Sequence, residues 1–268
     1  MFTFYEHDSI FHRMNPTAKM VAIGVAMIVL TFSFDPFVPA SVLFIVLTLA
    51  KWFAKIPLKT MLQGLLPFIM LGFGFLWMHV GFSRGNHVNP WFQIGNFIVY
   101  QEALMRGSAL MFRVNAYAAF SLLFVATTNP TDFLLSLMQQ ARVSPKIGYS
   151  ILAAYRFFPL YQSEFQILKE AHLVRGMGIE KGLGHRFKQI KRFSIPLIAQ
   201  AIRKAERVAI AIEARGFSND KDRVFYRQLK VSPHDWILAL GIIMLVPMII
   251  LIVYVLGGLT LWRGGLFF

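Results

Sequence analysis

Two arginines stand immediately before glycines at matching places in the chain, in Val174-Arg175-Gly176 and Ala214-Arg215-Gly216, forty residues apart. Each triplet is followed by a large apolar residue, Met177 or Phe217, and each closes a stretch of helical periodicity, roughly 162–175 and 197–215. Glycine is the residue that most easily takes the left-handed conformation that ends a helix. An arginine in the last turn faces the negative end of the helix dipole and can donate to the exposed carbonyls. Its planar guanidinium can equally point away, toward a carboxylate or carbonyls on another protein. One such triplet alone reads as a helix cap. Two, on two helices of one basic segment, favour a pair of rigid tips suited to grooves on a partner.

Other chemistry finds little in these residues. The seven histidines (His7, His12, His79, His87, His172, His185, His234) form no HExxH pattern and no metal-ligand spacing beside a carboxylate. His7 and His12 do flank Asp8, yet no metal site is expected. No Ser-His-Asp order or carboxylate pair within an apolar stretch suggests hydrolysis, so no catalytic residue is assigned. The run 182–188 (GLGHRFK) is too short for a phosphate-cradling loop and lacks its following Ser or Thr. The chain has no cysteine, which removes disulfide and thiolate chemistry. Arg186, Lys188, Lys191 and Arg192 suit RNA or anionic lipid headgroups. Closeness to a membrane favours the headgroups, and no nucleic-acid partner is expected.

The scaffold for these tips is a membrane protein. Of 268 residues 56% are hydrophobic and only 15% charged, against about 25% charged in a soluble domain. Crossing the hydrocarbon core takes about 20 largely apolar helical residues, and five stretches qualify: 18–34, 37–54, 61–82, 105–128 and 236–258. Trp52, Trp77 and Trp236 fall near span ends, where aromatic belts form. Asp35-Pro36 makes the first two spans an antiparallel pair. Gly72 and Gly74 read as sites of close helix packing. Arg113, inside the fourth span, lies on one face with Arg106 and reads as a snorkelling or packing residue rather than a transport group.

Net charge is +14, and its distribution sets the orientation. A cytoplasmic N-terminus puts Arg13, Lys19, Lys51, Lys55, Lys59, Arg142 and Lys146 inside and leaves Arg84 and Arg263 outside. The start of the chain, with Glu6, His7, Asp8, His12 and Arg13 before any apolar run, does not read as a signal peptide. From 161 to 233 fifteen Lys and Arg face seven Asp and Glu, a net +8. The expected organisation is an all-α membrane bundle over 1–160, a cytoplasmic helical module over 161–233, and a final span with its tail over 234–268. The stretch 147–160 is too short for a full span and reads as a helix at the inner surface or partly inserted.

Taken in order, these stretches resemble the transmembrane T component of energy-coupling-factor importers. That family carries two Ala-Arg-Gly-type triplets on cytoplasmic coupling helices. The second is intact here within Glu213-Ala214-Arg215-Gly216-Phe217, and the first reads Val-Arg-Gly. Arg13-Met14-Asn15-Pro16-Thr17-Ala18-Lys19 is similar to the family's Arg-x-Asp-Pro-x-x-Lys element. Thr127-Thr128-Asn129-Pro130 and Tyr155-Arg156-Phe157-Phe158-Pro159 follow in the expected order. The resemblance covers about 11–233.

The resemblance implies a non-catalytic subunit of a prokaryotic plasma-membrane ABC importer for a vitamin or a transition-metal ion. Its partners would be two cytoplasmic ABC-type ATPases and a small substrate-binding membrane subunit, within the lipid bilayer. ATP and Mg would be bound by the ATPases and no cofactor by this chain. Val174, Arg175, Gly176, Ala214, Arg215 and Gly216 would contact the ATPases, and Arg156 and Pro159 would support the coupling helices. A membrane enzyme would need acid, base or metal ligands converging at one bilayer depth. A stand-alone permease would need repeats within its spans. The sequence offers neither, since its repetition lies in the basic module.

Overall fold

The computed structural model describes residues 9–33, 35–82, 90–94, 97–176, 183–216 and 225–255. Met177, Phe217, Gly178, Gly182, Glu6, His7, Asp8, Arg84, His87 and Arg263, all weighed from the sequence, lie outside them. The chain divides into two compact units, Met1–Ser136 with Leu229–Phe268, and Leu137–Gln228. The first unit is a helical bundle of α1 (Ile10–Arg13), α2 (Pro16–Thr31), α3 (Phe37–Trp52), α4 (Leu58–Gly81), α5 (Gln101–Thr127) and α9 (Pro233–Val255). Helix α6 (Pro130–Gln140) crosses the division, and the second unit holds α7 (Pro145–Val174) and α8 (Leu183–Ala214).

All five expected spans are helices. By length and composition α4, α5 and α9, of 24, 27 and 23 residues, can cross a membrane. The apolar helices α2 and α3 have 16 residues each, about 24 Å at 1.5 Å per residue. That falls short of a hydrocarbon core of about 30 Å. Between α4 and α5 the sequence suggests only an outer loop, whereas an antiparallel hairpin forms there from β1 (Pro90–Ile94) and β2 (Phe97–Tyr100). The signal was present: two apolar, aromatic and β-branched runs separated by Gly95-Asn96.

The bundle closes on small and β-branched residues at helical spacing. Val38, Val42, Val46 and Ala50 form a fully buried stripe along α3. It joins Ala22, Ala26 and Leu30 of α2, Ala116, Ala119 and Leu123 of α5, and Val246 and Ile249 of α9 in one core. Outward-facing apolar side chains abound, including Trp52, Trp77 and Trp236 at the span ends. Lipid, as apolar as the core, is the solvent that such a surface requires.

The expected role of the two α4 glycines holds for one of them. A Cβ on Gly72 would lie 2.9 Å from the Asn115 amide and 3.1 Å from the Met111 carbonyl of α5, while Gly74 has nothing within 4 Å. Gly107 of α5 is another close approach between these two helices, its Cβ position 3.1 Å from the Leu76 Cα. Gly72→Leu or Gly107→Leu should therefore cost about 1–3 kcal/mol through overpacking. Gly74→Leu should leave the thermal unfolding midpoint in detergent unchanged, and comparing the three midpoints checks this.

Two Asn-Pro pairs start helices. The Asn15 Oδ1 accepts from the Thr17 N–H at 3.0 Å, and the Asn129 Oδ1 from the Thr131 N–H at 2.9 Å. In each, the asparagine caps and the proline supplies a first helical residue whose missing N–H costs nothing. These caps bring two of the sequence stretches together around Lys19, which is 1% exposed. Its ammonium donates to the Thr127 carbonyl at 3.1 Å and to the Thr127 and Thr128 hydroxyls at 3.2 Å each. Three donors meet three acceptors, so none is left unsatisfied. Asp235, buried in the first turn of α9, supplies the opposing charge. Its carboxylate accepts from the Asn15 N–H at 3.0 Å and the Ser232 N–H at 2.7 Å. Sequence reading assigns Lys19 no contact and passes over Asp235, although an acid in the first turn of a helix is itself a signal.

Arg113 donates to the Ser33 carbonyl just beyond the end of α2. The guanidinium thus faces the negative end of α2's dipole and ties α5 to the α2–α3 turn. This is the packing role expected of it.

Candidate functional site: two arginine-tipped helices

Helix α7 is one continuous helix of 30 residues, with Pro145 in its first turn. The stretch 147–160 is its first half, and the helix runs on through Pro159 to the first triplet. Helix α8 has 32 residues and starts at Leu183, well before the expected 197, running through Pro196. A proline inside a helix removes one hydrogen bond, and the remaining turns carry the chain across it.

Both helices end in the same way. The Gly176 N–H donates to the Leu173 carbonyl at 3.0 Å, and the Gly216 N–H to the Glu213 carbonyl at 2.9 Å. The φ angles are +74° and +73°, the left-handed region open to glycine. Arg175 donates its own backbone N–H to the Ala171 carbonyl at 3.3 Å, and Arg215 to the Ile212 carbonyl at 3.2 Å. Backbone amides thus cap these turns. Neither guanidinium takes part in a hydrogen bond or ion pair with another described residue, and both arginines are exposed. Val174 is 89% exposed.

A Cβ on either glycine would meet nothing within 4 Å. The cost of Gly216→Ala should therefore be conformational alone, about 1–2 kcal/mol for a left-handed L residue. It should appear as faster amide hydrogen exchange in the last turn of α8, with exchange elsewhere in the helix unchanged.

The two helices are joined away from their tips. Glu164 of α7 forms an ion pair with Lys204 of α8, and both side chains are largely shielded. Each lies eleven residues before its own arginine, an arm of roughly 16 Å at 1.5 Å per residue. Nearer the α7 tip, Phe193 of α8 meets Phe165 edge-on at 5.7 Å and His172 at 5.0 Å. His172 is buried, and its Nδ1 lies 2.9 Å from the Leu168 carbonyl. The α7 tip therefore lies beside the early part of α8, while Arg215 comes 22 residues after Phe193. That distance along α8 is on the order of 30 Å. The two tips point to separate places.

Arg156 and Pro159 lie on the exposed surface of α7, and Arg156 has no hydrogen bond or ion pair with another described residue. Among the described residues, Glu164, Lys204, His172 and the two phenylalanines link α7 and α8. Sequence reading assigns none of the five a contact, because a partner twenty to forty residues away leaves no trace in local periodicity. Ile147, Ile151, Tyr155 and Phe158 of α7 and Ile195, Ile198 and Ile202 of α8 are exposed. Among the described residues no group of three His, Asp or Glu could hold a metal ion.

The family model CbiQ, described as cobalt transport protein, matches residues 7–226. The chain is 29% identical over 251 residues to the energy-coupling factor transporter transmembrane protein EcfT of Streptococcus thermophilus, covering 88% of this chain and 94% of that one. It is 28% identical to EcfT of Limosilactobacillus fermentum, over 95% and 97% of the two chains. Identity to EcfT of Bacillus subtilis is 24%, over 90% and 93%.

Proposed function

We propose, from the premise that this chain belongs to the CbiQ cobalt transport protein family, that it couples ATPases to substrate uptake. It is the transmembrane T component of an energy-coupling-factor transporter. In the proposed assembly Arg175 and Arg215, with the flanking residues of their triplets, each enter a groove on one of two cytoplasmic ABC-type ATPases. A small membrane subunit binds the substrate, a vitamin or a transition-metal ion, and rests on the spans and on the exposed apolar residues of α7 and α8. ATP and Mg belong to the ATPases. The module from 161 to 233 is the cytoplasmic part, with Arg156 and Pro159 in support.

The observation that carries this reading is the pair of matched, exposed arginine tips at equal arms from one ion-paired crossing. When ATP draws the ATPases together, two anchored tips must move relative to each other, and the Glu164–Lys204 crossing converts that motion into rotation of α7 against α8. A ligand drives such a change only through different affinity for the two arrangements. Two grips on two moving bodies supply that difference, and one grip does not.

The test is co-purification of the tagged full chain, expressed with its candidate ATPases and small membrane subunit. An assembly with two ATPase copies and ATP-dependent uptake in vesicles is expected. A chain that purifies alone and transports without them overturns the reading.

A further inference from the structure

We propose that the cytoplasmic rim of the membrane bundle holds a binding site for the phosphate of an anionic phospholipid headgroup. The site is an open cavity of about 290 Å³ lined by Ser9, Ile10, Arg13, Trp52, Phe53 and Lys55. Two cations and an indole converge where the short N-terminal helix meets the end of α3. The excess of Lys and Arg on this side of the spans puts the rim at the inner leaflet. A basic pocket between helices at that depth suits an anionic headgroup. Trp52, Phe53 and Ile10 are exposed beside it and offer apolar surface to the upper acyl chains, as interfacial aromatics do.

The backbone places Lys55 at this cavity. Lys55 has φ +54°, a conformation that glycine adopts freely and an L residue only under strain. The chain reverses there, with the Ile56 N–H closing onto the Ala50 carbonyl at 3.1 Å. Ala54 and Ile56 turn fully inward, and Lys55 between them lines the cavity. Arg142 takes the same conformation at a matching turn, where the Val143 N–H closes onto the Leu137 carbonyl, so the turn itself fixes where the Lys55 side chain emerges.

Native mass spectrometry of the full chain, released from detergent with added phosphatidylglycerol or phosphatidylcholine, tests the site. Wild type should retain phosphatidylglycerol in preference to phosphatidylcholine. Lys55→Gly, which relieves the backbone while removing the charge, should weaken retention about fivefold, the worth of one cation near an anionic surface. Arg13→Gln with Lys55→Gly should weaken it further, and the thermal midpoint of Lys55→Gly should not fall. Lys51→Gln removes one charge from the same rim outside the cavity and should leave retention unchanged. Equal losses from Lys51→Gln and Lys55→Gly would show diffuse surface attraction and overturn the site. Displacement of the lipid by inorganic phosphate would make it a free-anion site and overturn the lipid assignment.

Discussion

Replacing both Arg175 and Arg215 with alanine is expected to abolish stable association with the ATPases while leaving the chain folded in the membrane. An arginine anchor at the centre of an interface is typically worth about 2 kcal/mol or more, roughly a thirtyfold loss in affinity. The tips lie far apart on separate helix ends, so their losses should be nearly independent: about thirtyfold for each ATPase, and a thousandfold or so for the assembly with both. Each single variant should retain one ATPase and lose energised uptake, because a lever needs both grips. Arg→Lys should rescue only in part, since lysine keeps the charge and loses the planar fork. Both side chains are exposed and backbone amides cap both helices, so thermal midpoints should stay at the wild-type value. Titration of ATPase into detergent-purified chain reads the affinities directly. A double variant that binds both ATPases with wild-type affinity would end the lever mechanism.

Much of this was legible because composition and punctuation speak plainly about some features. Apolar runs report the surrounding solvent, and all five expected spans are helices. Gly176 and Gly216 report helix ends, because few other residues take positive φ without cost. Helix continuity is harder to read. The composition changes near 160, but helix α7 runs on through it, across Pro159. Likewise the glycine-rich and basic stretch before 197 hides the first turns of α8, where Gly184 and Pro196 are accommodated within the helix. The pairings in the Glu164–Lys204 crossing and in the Lys19 cluster were not legible, although the sequence singles out both stretches that meet at Lys19. Each joins residues forty to more than two hundred positions apart, and one sequence records such pairs nowhere.

The second large effect is expected at Lys19. Lys19→Met removes a buried ammonium and leaves the Thr127 carbonyl, two hydroxyls and the Asp235 carboxylate without their cation. Removing one partner from a buried charged arrangement costs about 3–5 kcal/mol, which in a bundle this small means a large fall in the thermal midpoint and in yield. Asp235→Asn in the same chain should recover part of that loss. The uncompensated carboxylate is then gone, while the amide oxygen can still accept from the Asn15 N–H. The double-mutant cycle should therefore show favourable coupling between the two changes. If Lys19→Met unfolds within a degree or two of wild type, or if the effects simply add, the cluster does not hold α2, α5 and α9 together as described.

The placement of the two tips can be tested without touching either arginine. The chain has no cysteine, so Val174→Cys and Ala214→Cys each introduce a single exposed thiol beside an intact arginine. With a short thiol-to-amine crosslinker on the purified assembly, each single variant is expected to give an adduct with one ATPase copy, and the double variant an adduct with two. Products confined to the chain itself, or both thiols captured by the same ATPase copy, would contradict the two-grip mechanism.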